Sequence, residues 1–311
     1  MKILNWKNEP SEGIVKGVLL VKEAKIGTTK NDKPFLGMKL SNGIEEIDAR
    51  RWDYNDQVPG VGDIIYIEGK IQEYLNNTQL IIHKFREALE EEYNVSDFLP
   101  SLTGNKIQEL TDEFNEIQAG LLEKYGVFIQ ELMVNSSRKY FIAPAAKVHH
   151  HAYIGGLLEH SLTVCKRSLV LAELSTVNIN KDLLIIGSLL HDVGKIYSYE
   201  YDKPPIRMSS EGRLLDHIVI GLNLISDTYK NTMPLLSEED YLHLQHMIAS
   251  HHGKLEWGSP IVPKTIEAEI LHTSDNLDFI DFKYNMAIQE KSENQEWSDW
   301  IKSLGKEIWI K

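Results

Sequence analysis

Seven residues constrain this chain more than any other feature: His160, His191, Asp192, His217, His251, His252 and Asp275, in the order H…HD…H…HH…D. Neutral imidazole plus carboxylate suits Mn, Fe, Co, Ni or Zn, and no thiolate belongs to the set. Five imidazoles and two carboxylates exceed the needs of one tetrahedral ion. They match two ions that share a bridging carboxylate. Two adjacent ions with open coordination positions are a device for hydrolysing phosphate esters.

These residues sit on stretches with helical periodicity. His160 lies in an otherwise apolar segment over 155–164, and His191 and Asp192 end the apolar run 183–192. Successive helical residues point about 100° apart, so that pair can reach two neighbouring ions. His217 begins an apolar helix, His251 and His252 close another before Gly253, and Asp275 sits mid-helix in 271–278. Titratable groups in apolar surroundings need partners, because unpaired burial is expensive. A shared metal centre supplies them.

Composition sets the outer bounds. The chain has 311 residues, 42% hydrophobic and 25% charged, as expected of a globular protein with room for two domains. Cys165 is the sole cysteine, which excludes an intrachain disulfide and a cysteine-based zinc site. That fits a reducing, cytoplasmic setting. The first ten residues lack the apolar core of a signal peptide. The longest apolar stretch, 183–190, is too short to span a bilayer, so no membrane partner is expected. Of the net charge of −13, residues 1–90 carry −1 and the remainder −12. An acidic C-terminal part argues against broad electrostatic capture of nucleic acid, though not against a local basic groove.

The texture changes along the chain. Strand-like runs fall at 13–21, 35–40, 44–50, 63–73 and 78–83, with Asn42-Gly43 as a hairpin turn. Five short strands, with a non-strand connection over 54–61, match an OB-fold barrel. Residues 86–105 read as a linker, and from Lys106 the apolar spacing is helical. The expected architecture is multidomain α and β: an N-terminal small OB-like β-barrel followed by an all-α domain. The expected boundaries are 1–88 for a nucleic-acid-binding barrel, 89–144 for linker and leading helices, 145–290 for the metal-bearing domain and 291–311 for a tail.

The constellation resembles the HD superfamily of metal-dependent phosphohydrolases, in the variant that holds two metals. With the barrel ahead of it, the chain resembles the YhaM-type 3′-5′ exoribonucleases. The matching stretches include 150–160 with His150 and His151, the run Leu190-His-Asp-Val-Gly-Lys195, 217–221, 251–260 and 271–278. The resemblance implies that His160, His191, Asp192 and Asp275 hold one ion. Asp192 would bridge to a second held by His217, His251 and His252. It implies Mn as the metal, Lys195 as the group that meets a phosphate oxygen, and His150 and His151 as substrate-side or supporting groups. His272 shares the face of Asp275 and is expected behind the ligands rather than among them. Lys195 has a plainer reading as a helix C-terminal charge.

In the barrel, Phe35, Trp52, Tyr54 and Tyr74 are candidates for stacking unpaired bases, and Lys33, Lys39, Arg50 and Arg51 for backbone phosphates. Trp52, between arginines and Asp53, is the strongest of these. Trp297, Trp300 and Trp309 are expected to pack on the helices. The expected function is a 3′-5′ exoribonuclease that cuts phosphodiesters of single-stranded RNA, with single-stranded DNA as an open alternative. A metal-activated water would release nucleoside 5′-monophosphates. The other readings are an HD hydrolase of a small nucleotide (a cyclic dinucleotide, an alarmone or a dNTP) and a non-enzymatic nucleic-acid-binding protein with a structural metal site. The tail and the barrel edges permit a homo-oligomer.

Overall fold

The computed structural model describes residues 3–8, 13–29, 31–54, 56–74, 77–136, 139–147, 151–233, 235–292 and 295–311. The chain divides into two compact units, one of Met1–Ser101 with Glu200–Arg207, the other of Leu102–Tyr199 with Met208–Lys311.

In the first unit β1 (Val15–Thr28), β2 (Pro34–Ser41), β3 (Glu46–Trp52), β4 (Ile64–Tyr74) and β5 (Asn77–Glu87) close into a barrel of order β1-β2-β3-β5-β4, with β4 paired back to β1. All pairs are antiparallel except β3 with β5. Strand β1 outruns its expected end at Val21 by seven residues. A register shift between Val21 and Glu23 lets one half pair with β4 and the other with β2, as a bulged strand does at a barrel corner. Leu19, Val21, Leu36, Leu40, Ile67 and Leu80 fill the interior. In β2 and β3 the buried residues alternate with more exposed ones, the period-two pattern of strands buried on one face, whereas β1 is buried on both faces over Val18–Val21.

The expected linker is not loose. Ala88 and Phe98 pack on Val18, Leu20 and Ile64, forming a second apolar cluster. Glu92, within the Glu90–Glu92 turn, accepts from both terminal nitrogens of Arg86 at 2.6 Å and from the Leu89 amide at 2.8 Å. A glutamate run that reads as a solvated spacer is thus tied to the barrel wall by a forked ion pair.

The second unit is helical: α1 (Gly104–Ala119), α2 (Glu123–Asn135), α3 (Lys139–Ile142), α4 (Gly156–Glu173), α5 (Lys181–Leu190), α6 (Lys195–Ser198), α7 (Ser210–Thr232), α8 (Glu238–Ser250) and α9 (Ile266–Gln289). Short strands β6 (Tyr199–Glu200) and β7 (Arg207–Met208) pair between α6 and α7. Side-chain caps open several helices: Thr103, Asn180, Ser209, Ser237 and Thr265 each accept a backbone N–H of the first turn. Helix α4 packs on α5 and α9, and α5 on α8, so these helices surround a shared interior. No described helix is long and apolar enough to cross a membrane.

The tail is a hairpin. Ser298 N–H donates to Ile308 O and Ile310 N–H to Glu296 O, both at 2.9 Å, and Ile301 bridges Lys306 across a turn at Gly305 (φ +63°). Ile308 and Ile310 are 2% and 3% exposed, whereas Trp297, Trp300 and Trp309 are 56%, 64% and 61% exposed. The expectation that the tryptophans pack is therefore corrected. The isoleucines anchor the hairpin, at about 1.5–3 kcal/mol for each buried side chain, and the indoles face outward.

Candidate metal centre

The seven ligand-type residues come from five places in the helical unit and meet at one point. Asp192 stands at the centre. Its Oδ2 is 3.3 Å from His160 Nε2 and 3.4 Å from His191 Nε2, while its Oδ1 is 3.3 Å from His217 Nε2 and 3.6 Å from His251 Nε2. Asp275 Oδ1 lies 3.2 Å from His160 Nε2 and 3.8 Å from His191 Nε2. The His252 ring is centred 4.4 Å from that of His251 and 5.1 Å from that of His217. One carboxylate thus splits the cluster into two triads, His160–His191–Asp275 and His217–His251–His252. In each triad one ligand atom per residue lies within 4.8 Å of the others.

The five imidazoles share one tautomeric logic. Nδ1–H of His160 donates to Asp278 Oδ2 (2.8 Å), of His191 to Ser188 O (2.8 Å), of His251 to Ile248 O (2.7 Å) and of His252 to Trp257 O (2.9 Å). Nδ1–H of His217 donates to Asp216 Oδ1. With every Nδ1 spent on an acceptor, every Nε2 lone pair is left for the centre. Asp192 Oδ1, His217 Nε2 and His251 Nε2 are buried without a hydrogen-bond partner among the described residues. Buried polar atoms left so are costly, and a cation between them removes the cost. The donor set fits divalent ions.

Local backbone builds this arrangement. Helix α5 ends at Leu190, so His191 and Asp192 occupy the turn before α6. A Cβ on Gly194 would lie 1.9 Å from His217 O and 2.6 Å from Gly221 N, so only glycine lets α6 lie against α7 and bring His217 over Asp192. Asp216 breaks α7 with φ +59° and ψ 163°, and its carboxylate takes both the amide and the Nδ1–H of the next residue. Strain of this kind is held where function requires it. Gly253, at φ +76°, leaves room for the His272 ring, which donates from Nδ1 to His251 O (2.8 Å). His272 therefore stands behind a ligand-type residue, as expected.

The two triads differ electrostatically. Burial works against charge on His160, but Asp192, Asp275 and Asp278 outweigh it and hold its pKa well above the ordinary value. Burial also opposes ionisation of Asp192 and Asp275, yet Lys195 and His191 hold Asp192, and His160 and His191 hold Asp275, well below the carboxylate range. On the other side burial pushes His251 and His252 down, reinforced by neighbouring imidazoles. The carboxylates around His160 gather positive charge, and His251 and His252 are kept unprotonated. Both properties serve a cation, which competes with protons for such ligands.

Lys195 opens α6 rather than ending a helix, so the macrodipole reading is dropped. Its Nζ is 2.5 Å from Asp192 Oδ2, and it lines a cleft of about 480 Å³ with Asp192, His251, His252 and Asp275. His151 lies behind the first triad: Nε2 is 3.2 Å from Asp278 Oδ2, and Nδ1 is 3.1 Å from Glu159 Oε2. His150 lies outside the described residues.

In the barrel Phe35 pairs across the ladder with Trp52, rings centred 5.4 Å apart, and the Arg50 guanidinium sits 5.5 Å and 5.6 Å from the two rings. Lys39 is on the same face, two register steps on. This β2–β3 face is the one on which OB-folds bind oligonucleotides. Arg51 is not part of it. It pairs with buried Leu36, one step out of phase. Tyr54 packs against Phe85 at the barrel core and donates to Gln57 O.

A model of the HD domain matches residues 157–280, and a model described as a putative helicase matches 123–185. The chain is 35% identical over 269 residues to the 3′-5′ exoribonuclease YhaM of Geobacillus sp. (strain WCH70), covering 84% of this chain and 80% of the relative. The YhaM proteins of Listeria welshimeri and Bacillus subtilis (strain 168) are each 34% identical, with 84% of this chain and 83% of theirs covered. This chain belongs to the YhaM family. Within that YhaM-family framework, sequence reasoning overlooked Asp216 and Asp278 as the acceptors that fix His217 and His160. Both were visible only as acidic neighbours of histidines, Asp216 beside His217 and Asp278 three residues beyond Asp275.

Proposed function

We propose that this chain is a metal-dependent 3′-5′ exoribonuclease that binds two divalent ions and hydrolyses single-stranded RNA to nucleoside 5′-monophosphates. The observation that carries the two-ion reading is the division of Asp192, with Oδ2 toward one triad and Oδ1 toward the other. His160, His191, Asp192 and Asp275 would hold one ion, and Asp192, His217, His251 and His252 the other. Bound ions supply Lewis acidity toward a phosphodiester and lower the pKa of water.

The chain's own residues do the rest. Asp278, Asp216 and the carbonyls of Ser188, Ile248 and Trp257 hold the five imidazoles in position. Lys195, charged and half-sunk in the cleft floor, offsets negative charge that grows on a phosphate oxygen. His151 supports Asp278. On the barrel, Trp52 and Phe35 stack bases, and Arg50 and Lys39 meet the backbone. Tethering that face to the metal centre raises the local concentration of strand near an otherwise acidic domain. The donor set accepts several first-row divalent ions, and among them the family resemblance favours manganese.

The test is incubation of metal-loaded protein with 5′-end-labelled single-stranded RNA and DNA. A ladder shortening from the 3′ end, with nucleoside 5′-monophosphates released from RNA, is expected. Hydrolysis confined to small nucleotides overturns the reading, as does internal cleavage.

A further inference from the structure

The C-terminal hairpin reaches the metal cleft. Ser303, Leu304 and Lys306 of its turn line the cleft that holds Asp192, Lys195 and Asp275. Trp300 and Ile301, one step back along the same hairpin, line a second cleft of about 590 Å³ with Lys283 and Met286 of α9. The two clefts follow one face of that helix: Asn276, Phe279 and Ile280 border the first, and Lys283, Met286, Ala287 and Glu290 the second, at steps of three and four residues. Such spacing marks one continuous stripe. Lys306 Nζ lies 5.9 Å from the Tyr284 ring of α9, so the hairpin leans along the helix.

We propose that the groove between α9 and the C-terminal hairpin is a binding track for the single-stranded RNA substrate, leading its 3′ end to the metal centre. This rests on the exoribonuclease reading above. Three features point to a nucleic-acid strand. The second cleft follows the metal cleft along the same face of α9. The walls of the track carry Lys195, Lys283, Lys291 and Lys306 in balance with Asp192, Asp275, Glu290 and Asp299, in a domain that is acidic as a whole. Trp300 presents its indole at 64% exposure beside the track, although the hairpin has buried isoleucines for its own anchorage. Exposed indoles flanked by lysines suit unpaired bases and phosphates without sequence preference. The track would hold the nucleotides next to the reacting one.

The decisive variant is Trp300→Ala in the full-length, metal-loaded protein, with Trp300→Phe beside it. KM and kcat are measured on a single-stranded dodecanucleotide and on a dinucleotide of RNA. Thermal melting and elemental analysis report fold and metal content. Trp300→Ala should raise KM for the dodecanucleotide about fivefold or more, the lower range for one lost base stack, with kcat little changed. The dinucleotide should feel far less, and Trp300→Phe should restore most of the loss. A KM rise at constant kcat is the mark of lost uniform binding. Lys306→Ala should reduce the salt dependence of dodecanucleotide binding. An unchanged KM, an equal loss on both substrates, or failure of phenylalanine to restore binding in a protein that melts normally overturns the track. A wild type that digests no RNA overturns the exoribonuclease reading, and the track with it.

Discussion

The metal centre and the barrel face are built by opposite rules. Every imidazole of the centre is fixed by a second bond to the chain, and most of the cluster is buried. On the barrel, Trp52 is 39% exposed, with the Phe35 ring tilted at 48° beside it and the Arg50 guanidinium 5.6 Å from its ring centre. Chemistry demands fixed distances between charges, so its groups are locked. On the proposed reading, recognition of a flexible strand tolerates variation, which suits groups that lie open and are set by ring contacts. A change in the first region should damage turnover, and a change in the second should damage affinity.

The sharpest way to break this contrast is Asp192→Asn. It removes the charge shared by both triads and should cut kcat by about a thousandfold or more, the upper range for losing a preorganised electrostatic group. Folded protein with ordinary turnover would end the two-ion account. Next comes Asp278→Ala, which leaves Nδ1 of His160 without its acceptor. Metal affinity, read by isothermal titration with Mn²⁺, should fall about 10–100-fold, while melting of the barrel stays put. Trp52→Ala should raise KM on long RNA, by about 1–3 kcal/mol of stacking, and leave kcat alone. A drop in kcat instead would show that the two regions are not separable. Arg50→Ala should flatten the plot of log affinity against log salt by about 0.7, one phosphate contact on a single strand.

The smallest effect concerns the barrel's own integrity. The Arg86 fork, then the Leu89 amide, pulls Glu92 down to a pKa of about 2 from an ordinary 4.5. A depressed carboxylate stabilises the fold above its unfolded pKa. That contribution fades as pH falls from 4.5 through about 2. Acid titration of Glu92→Gln, followed by circular dichroism, should lose pH dependence in that window. An unaltered acid profile would remove Glu92 as its cause.

The convergence of the seven residues was legible in the sequence because metal chemistry accepts few residue types, and their order along the chain is itself the signal. The helices carrying them followed from apolar spacing. Asp216 was not legible as a determinant of His217, because a positive φ at an aspartate is decided by tertiary packing of α6 against α7. The extra length of β1 was hidden by the polar run 22–25, which alternates too weakly to announce a strand. In the tail, three tryptophans drew attention as bulky apolar groups. The clearer clue was Ile308-Trp309-Ile310, where period-two alternation puts the indole and the isoleucines on opposite faces. Arg50 and Arg51 looked equivalent until ladder register placed one outside and the other in phase with the interior.

Carbonyls and acids of the polypeptide hold the histidine rings, so much of the cup for the ions is shaped by the chain itself. Chelation should therefore silence the protein without denaturing it, unlike small domains whose folding depends on zinc. Occupancy then follows supply, because a rigid set of nitrogen and oxygen donors accepts several first-row cations in the order of their intrinsic affinities.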